Sequence, residues 1–260
     1  VLNLFEQAAF AAGREIMQVF HNGPTVQTKS DNSPVTEADE RAEAVILSAL
    51  AAAFPSIPVV AEEAVAAGNI PDTTNKSFIL VDPLDGTKEF IRKSTDFTVN
   101  IALIEAGVPV IGIVYAPARG VAYVGDQRGA AKINVDSTFQ PTSRHAIQVR
   151  TANADRVALA SRSHNSPETE AFLQEAGITD IKSVGSSLKF CLLAEGEADV
   201  YPRFGRTMEW DTAAGDAVLR AAGGMTVGLD GQPLPYGKIN QAHDSDFANP
   251  SFIAWGARQI

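Results

Sequence analysis

Asp82 and Asp85 stand three residues apart in D-P-L-D-G-T, directly after the uncharged run Phe78–Val81. Such a run reads as a buried strand, and it breaks at Asp82. There Pro83 holds the preceding residue extended, and Gly86 can take backbone conformations closed to other residues. The chain is expected to turn sharply and enter a short helix through Thr87, Lys88, Glu89 and Phe90. Two carboxylates on such a turn can converge on one point, together with the Thr87 hydroxyl and the N–H groups of the helix start. Carboxylates and carbonyls suit a hard cation such as Mg²⁺, and N–H groups at a helix start suit a phosphate. The competing reading is a pair of Asx turns and a helix cap, because Asp, Pro and Gly punctuate ordinary turns.

Three more acidic positions have local explanations of their own. Thr36-Glu37-Ala38-Asp39 fits a capping box, with Thr36 as N-cap and Asp39 three residues on. Asp211 stands beside Thr212 at a helix start, and Glu62-Glu63 resembles ordinary loop charge. Yet Asp39, Glu62, Asp82, Asp85 and Asp211 each lie at the edge of an element expected to be buried. If they converge in a cleft, their mutual repulsion demands cations.

The elements that would position them follow from apolar spacing. Leu4, Ala8, Ala12, Ile16 and Val19 recur at helical intervals up to His21-Asn22-Gly23-Pro24, and Val26–Lys29 reads as a short strand. A second helix buries Ala42, Val45, Ile46, Ala49, Leu50 and Ala53. Val59-Val60 then lead to Ala61-Glu62-Glu63, and a polar excursion from Ala64 to Lys76 precedes the central strand. Phe97–Glu105 with Val108–Tyr115, and Val121–Val124 with Ala131–Val135, read as two strand pairs of an antiparallel sheet. The polar segment 136–146, containing Pro141, is the best candidate for a boundary between an α+β half, 1–140, and an α/β half, 141–260. In the second half strands at Val157–Ala160, Ile181–Val184, Asp199–Tyr201 and Met225–Leu229 alternate with helices at Pro167–Ala176, Leu188–Ala194 and Thr212–Ala222.

Composition narrows the function. With 260 residues, 45% of them hydrophobic, the chain can bury a sizeable core. A formal charge of −10 argues against a nucleic-acid surface while leaving room for a local basic pocket. The single cysteine, Cys191, excludes a disulfide framework and a thiolate cluster, and its neighbours Phe190, Leu192 and Leu193 suggest a buried structural thiol. No signal segment or membrane-spanning run is legible, so a cytoplasmic location is expected, with peripheral association at the inner membrane left open.

The distributed pattern P-V-T-E-A-D at 34–39, A-E-E at 61–63, D-P-L-D-G-T at 82–87 and W-D-T-A-A-G at 210–215 resembles the inositol monophosphatase and fructose-1,6-bisphosphatase superfamily. D-G-T-K-E-F at 85–90, F-T-V-N-I-A-L-I at 97–104, S-R-S-H at 161–164 and G-S-S-L-K-F-C-L-L-A-E-G-E-A-D-V-Y-P-R-F at 185–204 resemble its bacterial 3′(2′),5′-bisphosphate nucleotidase (CysQ) branch. Ala61 stands where relatives usually carry Gly or Ser. The hairpin Gly125-Asp126-Gln127-Arg128-Gly129 departs from the Gly-Gly-Gly-Ala pattern of inositol phosphatases.

The resemblance implies a layered, alternating helix–sheet sugar-phosphatase fold, α+β in its first half and α/β in its second, with the metal site between them. It implies two or three Mg²⁺ ions on Glu62, Asp82, Asp85, Asp211 and the Leu84 carbonyl. Asp39 and Thr87 resemble the pair that orients and deprotonates the attacking water, with Glu62 taking part through a third ion's water. The implied substrate is the small molecule adenosine 3′,5′-bisphosphate, hydrolysed to AMP and phosphate, with 3′-phosphoadenylyl sulfate as a further substrate. Gly86 and Thr87 would cradle the reacting phosphoryl group beside Asp211. Ser186, Ser187, Lys189 and Arg203 offer donors for the 5′-phosphate, and by resemblance His164 lies beside adenine or ribose. The alternatives are an inositol monophosphatase, which gives Lys189 and Arg203 no special task, and a noncatalytic polyphosphate-binding protein. No integral membrane segment or nucleic-acid partner is implied, and the oligomeric state is open.

Overall fold

The computed structural model describes residues 1–29, 33–151, 155–161 and 166–257. Helix α1 (Leu2–Asn22) leads into the hairpin β1 (Val26–Thr28) and β2 (Pro34–Thr36), and α2 (Glu37–Ala53) follows. Then come β3 (Val59–Ala61), the short α3 (Glu62–Ala66), β4 (Phe78–Asp85) and the short α4 (Thr87–Ile91). An antiparallel run continues as β5 (Thr98–Glu105), β6 (Val108–Ala116), β7 (Val121–Asp126), β8 (Gly129–Val135) and β9 (Pro141–Ile147). These strands, β3 to β9, form one seven-stranded sheet in chain order.

The lack of charge in Phe78–Val81 follows from burial on both faces of that sheet. Ile79 and Val81 join the core under α1 and α2, with Phe5, Ile16 and Ile46. Phe78 and Leu80 join the core on the other side. That second core includes residues of α6 (Leu188–Ala194) and α7 (Glu209–Ala221). Beyond it lies a five-stranded sheet containing β10 (Val157–Ser161), β11 (Asp180–Val184), β12 (Val200–Arg203), β14 (Met225–Gly228) and β16 (Phe252–Trp255). Its strands show the two-residue period: Val157 and Leu159 face α6 and α7, while Ala158 packs with Leu173 of α5 (Pro167–Glu175) on the outer side. The layers therefore alternate helix, sheet, helix, sheet, helix. A two-stranded pair, β13 (Thr207–Met208) with β15 (Ala248–Asn249), braces the start of α7.

Small residues bring α7 close to the seven-stranded sheet. A Cβ added at Gly112 would stand 2.5 Å from the Ala214 carbonyl oxygen, and one at Gly125 would stand 2.7 Å from Val218 Cα. Larger side chains at either position would lift the helix whose first turn carries Asp211.

Several bounds differ from the sequence expectation. Strand β4 does not stop at Asp82; it resumes pairing at Asp85 opposite Thr98 after a register shift, Pro83 lacking the N–H needed to keep the ladder regular. The segment expected to separate the halves supplies β9, which pairs with β8. Its polarity is that of an edge strand exposed along most of its length, with Pro141 at its first residue. Helix α7 starts at Glu209, before Thr212, so Asp211 is its third residue. Strands β13, β15 and β16 escape notice because two to four residues carry too little periodicity. Among the described residues no helix is long and apolar enough to cross a membrane. Cys191 is buried, as expected.

Candidate active site

The bulge in β4 and the turn after it set the first group of side chains. Asp82 is buried, and its Oδ1 accepts a hydrogen bond from the Leu84 N–H at 3.0 Å. Gly86 has φ +92°, a left-handed conformation, and a Cβ there would meet the Asp96 carbonyl oxygen at 3.0 Å. The chain can therefore turn into α4 and present Thr87. The Thr87 hydroxyl lies 3.1 Å from Asp39 Oδ1 and 3.2 Å from the Leu84 carbonyl, so its single proton serves one or the other.

Asp39 caps α2 and also reaches Thr87. Its Oδ2 accepts from the Thr36 N–H and the Thr36 hydroxyl, each at 2.8 Å, which is the capping box of α2. Its Oδ1 is left to Thr87. Burial pushes the Asp39 carboxyl up to about 6, against the opposing pull of the Thr36 donors.

The other wall comes from the loop before α6 and from α7. The Ser187 N–H donates to Asp85 Oδ2 at 2.6 Å, and the Ser187 hydroxyl lies 2.9 Å from the same oxygen. Asp211 Oδ2 accepts from the Met208 N–H at 2.7 Å, closing the first turn of α7. Ser186 holds φ +50°, and its buried hydroxyl has no hydrogen-bond partner among the described residues. Lys189, buried, donates to the Ser186 carbonyl at 2.6 Å and lies 5.1 Å from the centre of the Tyr201 ring. Burial pulls its ammonium down to about 8, with Asp85 opposing. Arg203 donates to the carbonyls of Gly205 and Arg206, each at 3.2 Å. Glu62, Asp85, Gly86, Thr87, Ser186, Ser187, Lys189, Arg203 and Asp211 all line one cleft of about 250 Å³. The structure thus gathers both walls into one site. His164 lies outside the described residues.

Lys29 was not anticipated as a site residue. At the end of the first hairpin strand its ammonium donates to Glu62 at 2.7 Å and Glu63 at 2.6 Å. Burial disfavours that charge, but the two glutamates outweigh it and raise the lysine's pKa. Burial and Glu62 push Glu63 up to about 7. Glu43 also escaped notice; its carboxylate accepts from the Glu63 N–H at 2.8 Å and so fixes the start of α3. The only sequence signal for either was a charge within a few residues of P-V-T-E-A-D at 34–39.

Among the described residues no three acid, histidine or cysteine side chains form a preformed metal cage. The oxygens instead rest on protein donors: Asp82 on Leu84, Asp85 on Ser187, Asp211 on Met208 and Glu62 on Lys29. The donor set nevertheless fits Mg²⁺, being all oxygen and strongly anionic. Burial, then Glu62, Asp85 and Asp211, raises the Asp82 carboxyl far above the usual range. Burial and then Asp85 and Glu62 push Asp211 up to about 8, and burial raises Asp85 against the pull of Lys189.

These shifts have a definite sign. An acid whose folded-state pKa is raised stabilises the fold below its unfolded pKa of about 4 and loses that contribution as pH rises through the folded value. Chelator-treated protein should therefore unfold at lower denaturant concentration at pH 8 than at pH 6. Added Mg²⁺ should remove most of the difference and release protons at pH 7, seen by calorimetry in buffers of different ionisation enthalpy. Equal midpoints and no proton release would contradict this electrostatic account.

Comparison with known proteins agrees with the geometry. The profile of the inositol monophosphatase family matches residues 1–254. The 3′(2′),5′-bisphosphate nucleotidase CysQ of Escherichia coli K12 is 45% identical over 248 residues, covering 95% of this chain and 96% of that protein. The crystal structure of CysQ from Bacteroides thetaiotaomicron superposes with a TM-score of 0.78 at 36% identity, covering 99% of this chain and 98% of that one. An IMPase of Thermotoga maritima shares the fold, with a TM-score of 0.77 at 24% identity over 98% of this chain and 91% of that one. The acidic cleft between two sheet-and-helix layers thus sits in a chain that belongs to the inositol monophosphatase family, closely related to its bacterial CysQ nucleotidases.

Proposed function

We propose that this enzyme hydrolyses the 3′-phosphate of adenosine 3′,5′-bisphosphate, giving AMP and phosphate, in a reaction that depends on Mg²⁺, and that 3′-phosphoadenylyl sulfate is a further substrate. The observation that carries the reading is one cleft with two chemistries. Glu62, Asp85, Thr87 and Asp211 line it together with Lys189 and Arg203, so a metal-served phosphate and a cation-served phosphate can lie in one molecule. The CysQ relative of Escherichia coli K12 bears the name of that activity. An inositol monophosphatase would use the same acids but leave the two buried cations without a substrate group.

Glu62, Asp82, Asp85, Asp211 and the Leu84 carbonyl would hold two or three Mg²⁺ ions. Bound there, Mg²⁺ makes a water nucleophilic and neutralises the leaving oxygen. Thr87 and Asp39 orient the attacking water, and the proton passes through the Thr87 hydroxyl to Asp39. The N–H groups of Gly86 and Thr87 receive the phosphoryl oxygens as charge spreads over them. Lys189, Arg203 and the Ser186 hydroxyl, which has no partner among the described residues, recognise the 5′-phosphate; His164, outside the described residues, is assigned to the nucleoside by family resemblance alone. The site lies between an N-terminal half and a C-terminal half.

Product identity tests this reading. With Mg²⁺, adenosine 3′,5′-bisphosphate should give adenosine 5′-monophosphate, and Ca²⁺ should inhibit because its looser coordination suits tight two-ion chemistry poorly. Adenosine 3′-monophosphate as the product, or full turnover in excess chelator, would refute it.

Asp39→Asn should show both roles of that residue. The amide keeps one accepting oxygen for two sets of donors. Stability should fall by about 1 kcal/mol and turnover per folded molecule by on the order of a hundredfold. Denaturation and single-turnover rates on one preparation separate these effects. An unchanged rate per folded molecule would leave Asp39 as a helix cap alone.

A further inference from the structure

Ser187 sits at the N-cap of α6 and is only 2% exposed. Its polar atoms are turned into the protein and join three other elements. The N–H donates to Asp85 Oδ2 of β4 at 2.6 Å, and the hydroxyl lies 2.9 Å from that same oxygen. The hydroxyl also lies 2.6 Å from the Asp211 carbonyl of α7 and accepts from Asn100 Nδ2 of β5 at 2.9 Å. A serine hydroxyl has one proton to give and two lone pairs to receive. Asn100 fills one lone pair, and the proton is directed to Asp85 or to the Asp211 carbonyl. The adjacent Ser186 differs, since its hydroxyl has no partner among the described residues.

We propose that Ser187, oriented by Asn100, is a positioning residue for the Mg²⁺ site and not a contact for the 5′-phosphate. It holds Asp85 Oδ2 and the first turn of α7 together, so that the Asp85 and Asp211 carboxylates keep a fixed spacing despite their repulsion. The inference rests on the proposal that these two aspartates share an ion. The Ser187 N–H, donating to Asp85, and the hydroxyl, 2.6 Å from the Asp211 carbonyl, together bridge β4 and α7. Asn100 is placed for this task by the sheet, where it pairs with Asp82, and Thr98 pairs with Asp85. Charge-assisted bonds to a ligand carboxylate are short and directional, and groups that orient ligands commonly change metal affinity ten- to a hundredfold.

The test is Mg²⁺ titration by calorimetry without nucleotide, followed by steady-state kinetics on the same protein. Ser187→Ala keeps the N–H and removes the hydroxyl; it should weaken Mg²⁺ binding by about tenfold. Turnover at limiting Mg²⁺ should fall in parallel and recover largely at saturating Mg²⁺, with KM for adenosine 3′,5′-bisphosphate then within about twofold of the original. Asn100→Ala should give the same pattern in weaker form, and Ser187→Thr, which retains the hydroxyl, should restore Mg²⁺ affinity. Unchanged Mg²⁺ affinity in both Ser187→Ala and Asn100→Ala would overturn the proposal. So would a tenfold rise in KM at saturating Mg²⁺, which returns Ser187 to the nucleotide. A parent enzyme that leaves the bisphosphate intact would refute the substrate reading alone, because the titration contains no nucleotide.

Discussion

Asp85→Asn should lower kcat by on the order of a thousandfold, the scale on which preorganised charge at a reacting phosphate is felt, while the protein stays folded. The substitution changes volume little and removes the charge proposed to be shared between two ions. The amide can still accept from the Ser187 N–H, which is 2.6 Å from Oδ2, so the tie between the walls survives in part. Relief of repulsion with Asp82 and Asp211 should leave the chelator-treated variant at least as stable as the parent. Single-turnover rates across a Mg²⁺ series, with denaturation midpoints, check both statements. Near-normal turnover at limiting Mg²⁺ would remove Asp85 from the metal site.

Replacing Lys189 or Arg203 with Met should cost a nucleoside bisphosphate far more than a nucleoside monophosphate. In the proposed reading the reacting phosphate would be held by the acidic site and the N–H groups of Gly86 and Thr87, and the second phosphate by these cations. Losing one charge-assisted contact should cost about 1.5–3 kcal/mol, roughly tenfold to somewhat over a hundredfold in kcat/KM. Both residues also brace the backbone, Lys189 through the Ser186 carbonyl and Arg203 through Gly205 and Arg206, so some general loss is expected. The ratio of kcat/KM for adenosine 3′,5′-bisphosphate to that for adenosine 3′-monophosphate cancels it. Equal losses on both substrates, for both variants, would take the cations out of 5′-phosphate recognition.

What could be read in advance was whatever is encoded within a few residues. Phe78–Val81 announced a strand buried on both faces, and Pro83 with Gly86 announced the turn that presents Asp85 and Thr87. Thr36 and Asp39 announced a cap, but a cap uses one carboxylate oxygen, and the second oxygen's partner, Thr87, lies 48 residues away. The tie from Ser187 to Asp85 spans 102 positions, and no local pattern could distinguish it from a serine facing the ligand. Lys29 was legible as a strand end only, since its glutamate partners lie across the fold. Strand β9 misled because an exposed edge strand and a linker share the same polar composition.

The central claim is that the cleft is built for two phosphates on one nucleoside, and the most direct measurement is kcat/KM for adenosine 3′,5′-bisphosphate beside inositol 1-phosphate, at the same Mg²⁺ concentration and on one preparation. The two buried cations should favour the bisphosphate by on the order of a hundredfold, with AMP and phosphate formed in equal amounts. Equal or greater efficiency on inositol 1-phosphate would contradict the account.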